Sequence, residues 1–369
     1  MLYYKTSAIT INQAPLKNSL MKNPSSIIAY VGIGLLLLSC SATNNLTMGA
    51  TEPAIVHLPK SIKRIGIINR SLPSEPNQKI DKIDRILSVE GINLDEKGAK
   101  AAISALSEEL YRTGNYEEIV VLDSIMEIRK GLNVFPASLS WETIEKLCKA
   151  NDLDAIFSLA FYDTDTKISY KGTMMQLPNN LGIKVPVPGH EVKLNTVINN
   201  GWRIYTPLNK QIVDEFTYTD YLVSSGKGIN PIKALEAVAR RNEAVEELSK
   251  NIGYAYGSRL SPYKHRISRD YFVRGTDNFV VAKRRAQTGD WDGAAQLWER
   301  ELDNSKSKIA GRACYNMAII NEINGNIPEA MDWASRAYAE YNNKEALRYL
   351  NILKYRASQL EKLEQQASR

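Results

Sequence analysis

The sequence predicts an α/β (α+β) chain: a three-layer-like α/β domain with a mixed sheet and antiparallel hairpins, followed by an all-α segment of helical repeats. Three observations carry this reading. Apolar runs and amphipathic runs alternate as β-α-β-α-β through the first half. Period-two alternation then takes over in the middle of the chain. Beyond Thr276 the chain is helical throughout and repeats itself at an offset of 36 residues.

Ile62–Asn69, "IKRIGIIN", has the near-continuous apolar character of a strand buried on both faces. Lys97–Thr113 follows as an amphipathic helix with Ala102, Ala105, Leu106 and Leu110 on one stripe, closed by Gly114-Asn115. Glu118–Leu122, "EIVVL", is the second strand, and Ser140 offers an N-cap to a helix bearing Ile144, Leu147 and Cys148. Asp154–Tyr162 is the third strand. Lys167–Gln176 and Glu191–Ile198 alternate, and the Pro-, Gly- and Asn-rich stretch between them reads as a long hairpin connection. Gly201–Tyr205 and Gln211–Tyr221 flank "TPLNK" as a second hairpin. Pro231 opens one long helix, Ile232–Arg259. The domain is bounded at 60–270.

In the remaining segment, 276–369, "TGDWDGAAQLWERE" and "NGNIPEAMDWASRA" align, Gly289 with Gly325 and Ala294 with Ala330. Small residues at helix contacts and a Gly/Asn turn between helices resemble the tetratricopeptide repeat. The expected packing positions are Ala282, Gly289, Ala294 and Trp298 in the first unit. In the second they are Ala318, Gly325, Ala330, Ala334 and Ala337. Lys344–Leu363 is the expected capping helix, and "NSKSK" lengthens the turn between units.

The N-terminus supplies an address. Ile27–Leu38 is an apolar run of about 12 residues, too short for a spanning helix and the length of a signal-peptide core. It ends in Leu37-Leu38-Ser39-Cys40, which resembles the bacterial lipobox. That resemblance implies a signal peptide over 1–39, with Met21 as an alternative natural start, and diacylglycerol on Cys40. Residues 40–59 read as the lipidated cysteine and a flexible tether, because Ser41–Pro53 is polar and without period. Cys148 and Cys314 are expected as buried thiols, a single disulfide being the alternative. The sequence after Cys40 lacks an acidic or Lys-led export signal, so the expected place is the outer membrane, facing the periplasm.

Chemistry is sparse. The net charge of +6 is spread among acids, and "AKRR" at Ala282–Arg285 reads as a solvated helix face, so no nucleic acid is expected. His57, His190 and His265 are scattered, "SSGKGIN" lacks the spacing of a phosphate loop, and no GxSxG elbow occurs. No cofactor and no small-molecule substrate are implied. Asp163 and Asp165, placed at the end of the third strand, are the one arrangement that would suit a metal-dependent enzyme.

The strings "IKRIGIINRS", "LDAIFSLAFYDTDT", "GWRIYTPLNKQIVDEF" and "GDWDGAAQLWE" resemble lipoproteins of unknown function common in Bacteroidetes, with an α/β domain ahead of tetratricopeptide repeats. More distantly, the α/β part is similar to curli-secretion-channel and TolB-type amino-terminal domains. The resemblance implies no catalytic residues. It implies a lipid-anchored scaffold or adaptor binding a protein partner through its repeats. The alternative is an oligomeric secretion-channel component, which needs about 9–11 alternating residues per strand; "KISYKGTMMQ" and "EVKLNTVI" read as too short and too polar for that.

Overall fold

The computed structural model describes residues 42–71, 82–122, 135–238 and 241–368. The expected signal peptide, 1–39, and Cys40 lie outside the described residues. The chain divides into two compact units: one of residues 47–267 and 349–369, the other of residues 1–46 and 268–348.

The larger unit is built on a five-stranded sheet of order β3-β2-β4-β5-β6. β2 (Arg64–Asn69) lies parallel to β3 (Glu118–Leu122) on one side and to β4 (Ala155–Pro178) on the other. β5 (Lys184–Thr206) and β6 (Gln211–Gly228) continue antiparallel. Successive residues of β2 point to opposite faces, and each face has its own cover. Ile65 and Ile67 meet α1 (Lys82–Thr113) and α4 (Arg241–Ser258) through Leu106, Leu110, Ile252 and Tyr256. Ile68 meets α2 (Trp141–Asn151) through Ile144 and Cys148. The mixed three-layer α/β domain and the helical segment after it are therefore present. α1 and α4 approach closely because Gly253 has no side chain: a Cβ there would stand 2.1 Å from the Ala102 carbonyl oxygen.

Four expectations are corrected. The two strands expected around Asp154–Tyr162 and Lys167–Gln176 are one 24-residue strand, and β5 is likewise continuous over 23 residues. The expected long connection shrinks to residues 179–183. β4 is buried on both faces up to Tyr162 and alternates afterwards, with an irregularity between Leu159 and Phe161. That change of burial regime looks like a boundary in sequence. The length objection to a channel hairpin goes with it.

The single helix expected at Ile232–Arg259 is two, α3 (Pro231–Glu236) and α4. They pack on different targets: α3 lies against Gly226 and Gly228 of β6, α4 against α1. The first helix begins at Lys82 rather than Lys97, its front half interrupted in sequence by Gly91, a weak helix former.

The expected tether is also corrected. Thr43–Glu52 forms β1, paired with β7 (Tyr263–Phe272). Side chains hold this polar ribbon: Asn44 Nδ2 donates to Tyr271 Oη (3.0 Å) and Ser268 Oγ to Asn45 Oδ1 (2.7 Å). The strand's own apolar alternation is short, Leu46, Met48 and Ala50, and is set among Thr, Asn and Gly that read as a tether.

The smaller unit carries α5 (Asp277–Gln287), α6 (Trp291–Glu299), α7 (Ser307–Ile323), α8 (Ile327–Ala339) and the start of α9 (Lys344–Ser368), whose residues from Tyr349 count with the larger unit. The internal repeat is visible bond by bond. Gly289 N–H donates to the Ala286 carbonyl and Gly325 N–H to that of Glu322, each at 3.1 Å. Trp291 N–H donates to Gly289 and Ile327 N–H to Gly325, each at 3.0 Å. Both glycines sit at positive φ, +83° and +82°, where a side chain is strained. Ala282, Ala294, Trp298, Ala318, Ala330, Ala334 and Ala337 are all fully buried.

Candidate functional site

The helical unit holds a cleft of about 370 Å³ at the mouth of the second helix pair, lined by the first turns of α7, the turn from α8 into α9, and Phe272 at the end of β7. Lys308 and Arg312 stand four residues apart on α7 and so share one face. Lys344 opens α9 opposite them. No aspartate or glutamate lines the cleft. Among the described residues, none of these three cations stands in an ion pair.

The frame around these charges is fixed. Asn316 of α7 clamps Phe272 from both sides, accepting from its N–H (2.8 Å) and donating to its carbonyl (2.7 Å). Arg312 donates to the Arg274 carbonyl (2.6 Å), and its guanidinium lies 5.0 Å from the centre of the Phe272 ring. Burial lowers the Arg312 pKa from its ordinary value, yet a guanidinium keeps its proton at neutral pH. Tyr341 rests on Gly311, where a Cβ would come within 2.6 Å of it, and Asn343 Nδ2 donates to the Gly311 carbonyl (3.2 Å). The Lys306 side chain leaves the start of α7 uncapped, so the helix N-terminus adds partial positive charge. The arrangement suits an anionic chain segment laid beside aromatic surface.

Behind the cleft, buried polar side chains lock β7 and the helices together. Arg269 makes a two-point contact with the buried Glu322 (2.8 and 2.9 Å). Glu301 accepts from Thr276 Oγ1 (2.6 Å), Asn278 Nδ2 (2.7 Å) and Asn304 Nδ2 (2.7 Å). Burial alone would raise the Glu301 pKa, but these three donors favour the charged form and the net direction is downward.

The residues singled out from sequence fall elsewhere. The nine repeat positions lie at helix contacts and turns, and none lines the cleft. Arg285 of "AKRR" is tied to the Gly293 carbonyl (2.9 Å) rather than merely solvated. Asp163 and Asp165 do not end a parallel strand: β4 runs on through them, paired opposite Asn199 and Val197. Among the described residues no group of three or more His, Cys, Asp or Glu side chains could hold a metal ion. The cleft itself was legible only as "NSKSK", read as a turn extension. Its third cation comes from a separate segment, and spacing alone does not bring Lys344 beside Lys308.

Residues 62–272 match the model of a family described as Domain of unknown function (DUF8603). The chain belongs to the DUF8603 family. The DUF8603 segment runs from just before β2 to the end of β7. Residues 280–355 match a second domain of unknown function (DUF6340), over the helical hairpins. No curated protein matches the chain. Among solved structures, a PelC dodecamer from Paraburkholderia phytofirmans is 10% identical, with 59% of this chain and 98% of that one covered, at a TM-score of 0.25. A putative neuraminyllactose-binding hemagglutinin homolog from Helicobacter pylori is 12% identical, covering 53% of this chain and 90% of that one, at a TM-score of 0.26.

Proposed function

We propose that this protein is a lipid-anchored scaffold or adaptor at the bacterial outer membrane, facing the periplasm. Its helical hairpins, read as tetratricopeptide-like repeats, hold an acidic segment of a protein partner. The observation that carries this reading is the cleft: Lys308, Arg312 and Lys344 converge there with no acid among the lining residues. In the same reading Cys40 carries the lipid.

A photo-crosslinking residue placed at Ser307, at the rim of the cleft, tests it in cells. The expected product is one dominant adduct whose crosslinked peptide is rich in Asp and Glu. The same residue at Lys283, on α5, is expected to give no such adduct. Equal adducts from both positions, or a crosslinked peptide without acids, would contradict it.

A second reading, an oligomeric secretion-channel component, is favoured by the length of β4 and β5, 24 and 23 residues. Light scattering of the purified full chain separates the two, since a stable ring of many subunits would support the channel. The metal-dependent alternative at Asp163 and Asp165 gains nothing from their positions along β4.

A further inference from the structure

The hairpin of β4 and β5 ends in a tip with an unusual composition. From Thr173 to Pro188 the only charged residue is Lys184. Leu181 is 82% exposed, Met174 60% and Ile183 59%. On the opposite face Met175 pairs with Val187 and Leu177 with Val185, so apolar groups occupy both sides of the ribbon. Exposed apolar surface of this kind marks an interaction site.

The chemistry just behind the tip says which kind. Three cross-strand rows on one face read Lys171–Glu191–Lys227, Ser169–Lys193–Ser225 and Lys167–Asn195–Val223. Four exposed lysines thus form a collar with a single glutamate among them. An apolar point behind a cationic collar is complementary to an anionic lipid surface.

The turn at the tip satisfies most of its own backbone donors. Asn179 Oδ1 accepts from the N–H groups of Leu181 and Ile183, each at 3.0 Å. The Asn179 carbonyl takes the Gly182 N–H and the Ile183 carbonyl takes that of Asn179, each at 2.9 Å. β6 ends opposite His190, so β5 has one partner from Lys184 to Gly189. Pro186 and Pro188 fall in that stretch and carry no N–H to leave bare. Unsatisfied donors are what exclude most turns from hydrocarbon, and in this turn the N–H groups of Asn179, Leu181, Gly182 and Ile183 all have acceptors.

We propose that the 173–188 tip inserts into the headgroup–acyl boundary of an anionic bilayer, the lysine collar resting on its phosphates. This second membrane contact is independent of the acidic-segment cleft and of any ring.

The test uses the full chain with Cys40→Ser and Leu181→Cys, the new thiol bearing an environment-sensitive fluorophore. Cys148 and Cys314 are buried, and burial pushes both thiols up to about 11, which keeps them unlabelled. With vesicles of phosphatidylethanolamine and phosphatidylglycerol, emission should rise several-fold and shift to the blue. Nitroxides on the acyl chains should quench it. The same fluorophore at Leu208, exposed in the turn at the other end of β5, should stay as in water. Lys171→Gln with Lys193→Gln should weaken the response, and Ile183→Asp should abolish it. Water-like emission at saturating vesicles would overturn the proposal. So would a blue shift that grows with protein concentration without lipid, since a second copy would then cover the tip. An equal response on phosphatidylcholine alone would remove the role of the collar.

Discussion

At the scale of single residues, Ala330 and Glu301 hold contacts of the helical unit that substitution can test. Ala330 was legible as a contact position because it recurs with Ala294 at the repeat offset, and it is fully buried. Ala330→Leu adds three carbons to a filled site, and overpacking costs about 1–3 kcal/mol. Thermal unfolding of the helical unit should shift down accordingly, while Glu329→Leu, an exposed neighbour, should leave it unmoved. Asn316, Glu322 and Glu301 were illegible, because a buried polar side chain shows itself only when its partners are in place. Glu301 supplies a pH test. Its pKa is lowered in the folded state, so its contribution is present above the ordinary carboxylate range of about 4.3 and is lost as pH falls through the folded value. Glu301→Gln should therefore cost stability at pH 7 and narrow the difference from wild type toward pH 3; a constant difference would contradict the assignment.

At the scale of elements, local signals located helices and turns better than strand lengths. The Ser140 cap was correct to the residue, its Oγ accepting from the Thr143 N–H at 3.2 Å. Gly289 and Gly325 marked their turns because positive φ selects glycine. β4 and β5 were cut short because each crosses from a two-sided core to a ribbon, and the hydrophobic pattern changes with the surroundings rather than with the chain's conformation. β1 was missed because its alternation, Leu46, Met48 and Ala50, spans only three apolar residues among Thr, Asn and Gly. The α1–α4 contact gives the element-scale prediction: Gly253→Val must push a side chain onto the Ala102 carbonyl. Urea unfolding should show a loss of about 2 kcal/mol or more, and an unchanged midpoint would mean the helices are not so close.

At the scale of the whole molecule, the two compact units each contain one buried cysteine, Cys148 in the larger and Cys314 in the smaller. Both thiols are pushed up to about 11 by burial, so at pH 8 little thiolate is present. Alkylation should be slow for both in the native protein. In rising denaturant each should become reactive as its own unit opens, Ala330→Leu advancing Cys314 alone. Fast labelling of either in native buffer would contradict its burial. The α/β-then-helical order was legible from composition and period, whereas the cationic cleft was not, because it joins Phe272, Lys308 and Lys344 from three separate segments. If Cys40 carries the proposed lipid, Cys40→Ala should move the protein from the membrane to the soluble envelope fraction, with the hairpin tip leaving a salt-sensitive remainder.

Fluorescence anisotropy of a labelled Asp/Glu-rich peptide against the full chain tests most directly whether the cleft holds an acidic segment. Binding should weaken as salt rises, and Lys308→Glu with Lys344→Glu should weaken it by about tenfold or more, about 1.4 kcal/mol. A peptide with lysines in place of its acids should then prefer the variant over the wild type. If the acidic peptide binds wild type and variant equally, or the wild type prefers the lysine peptide, the cleft is not the docking site and the adaptor reading fails with it.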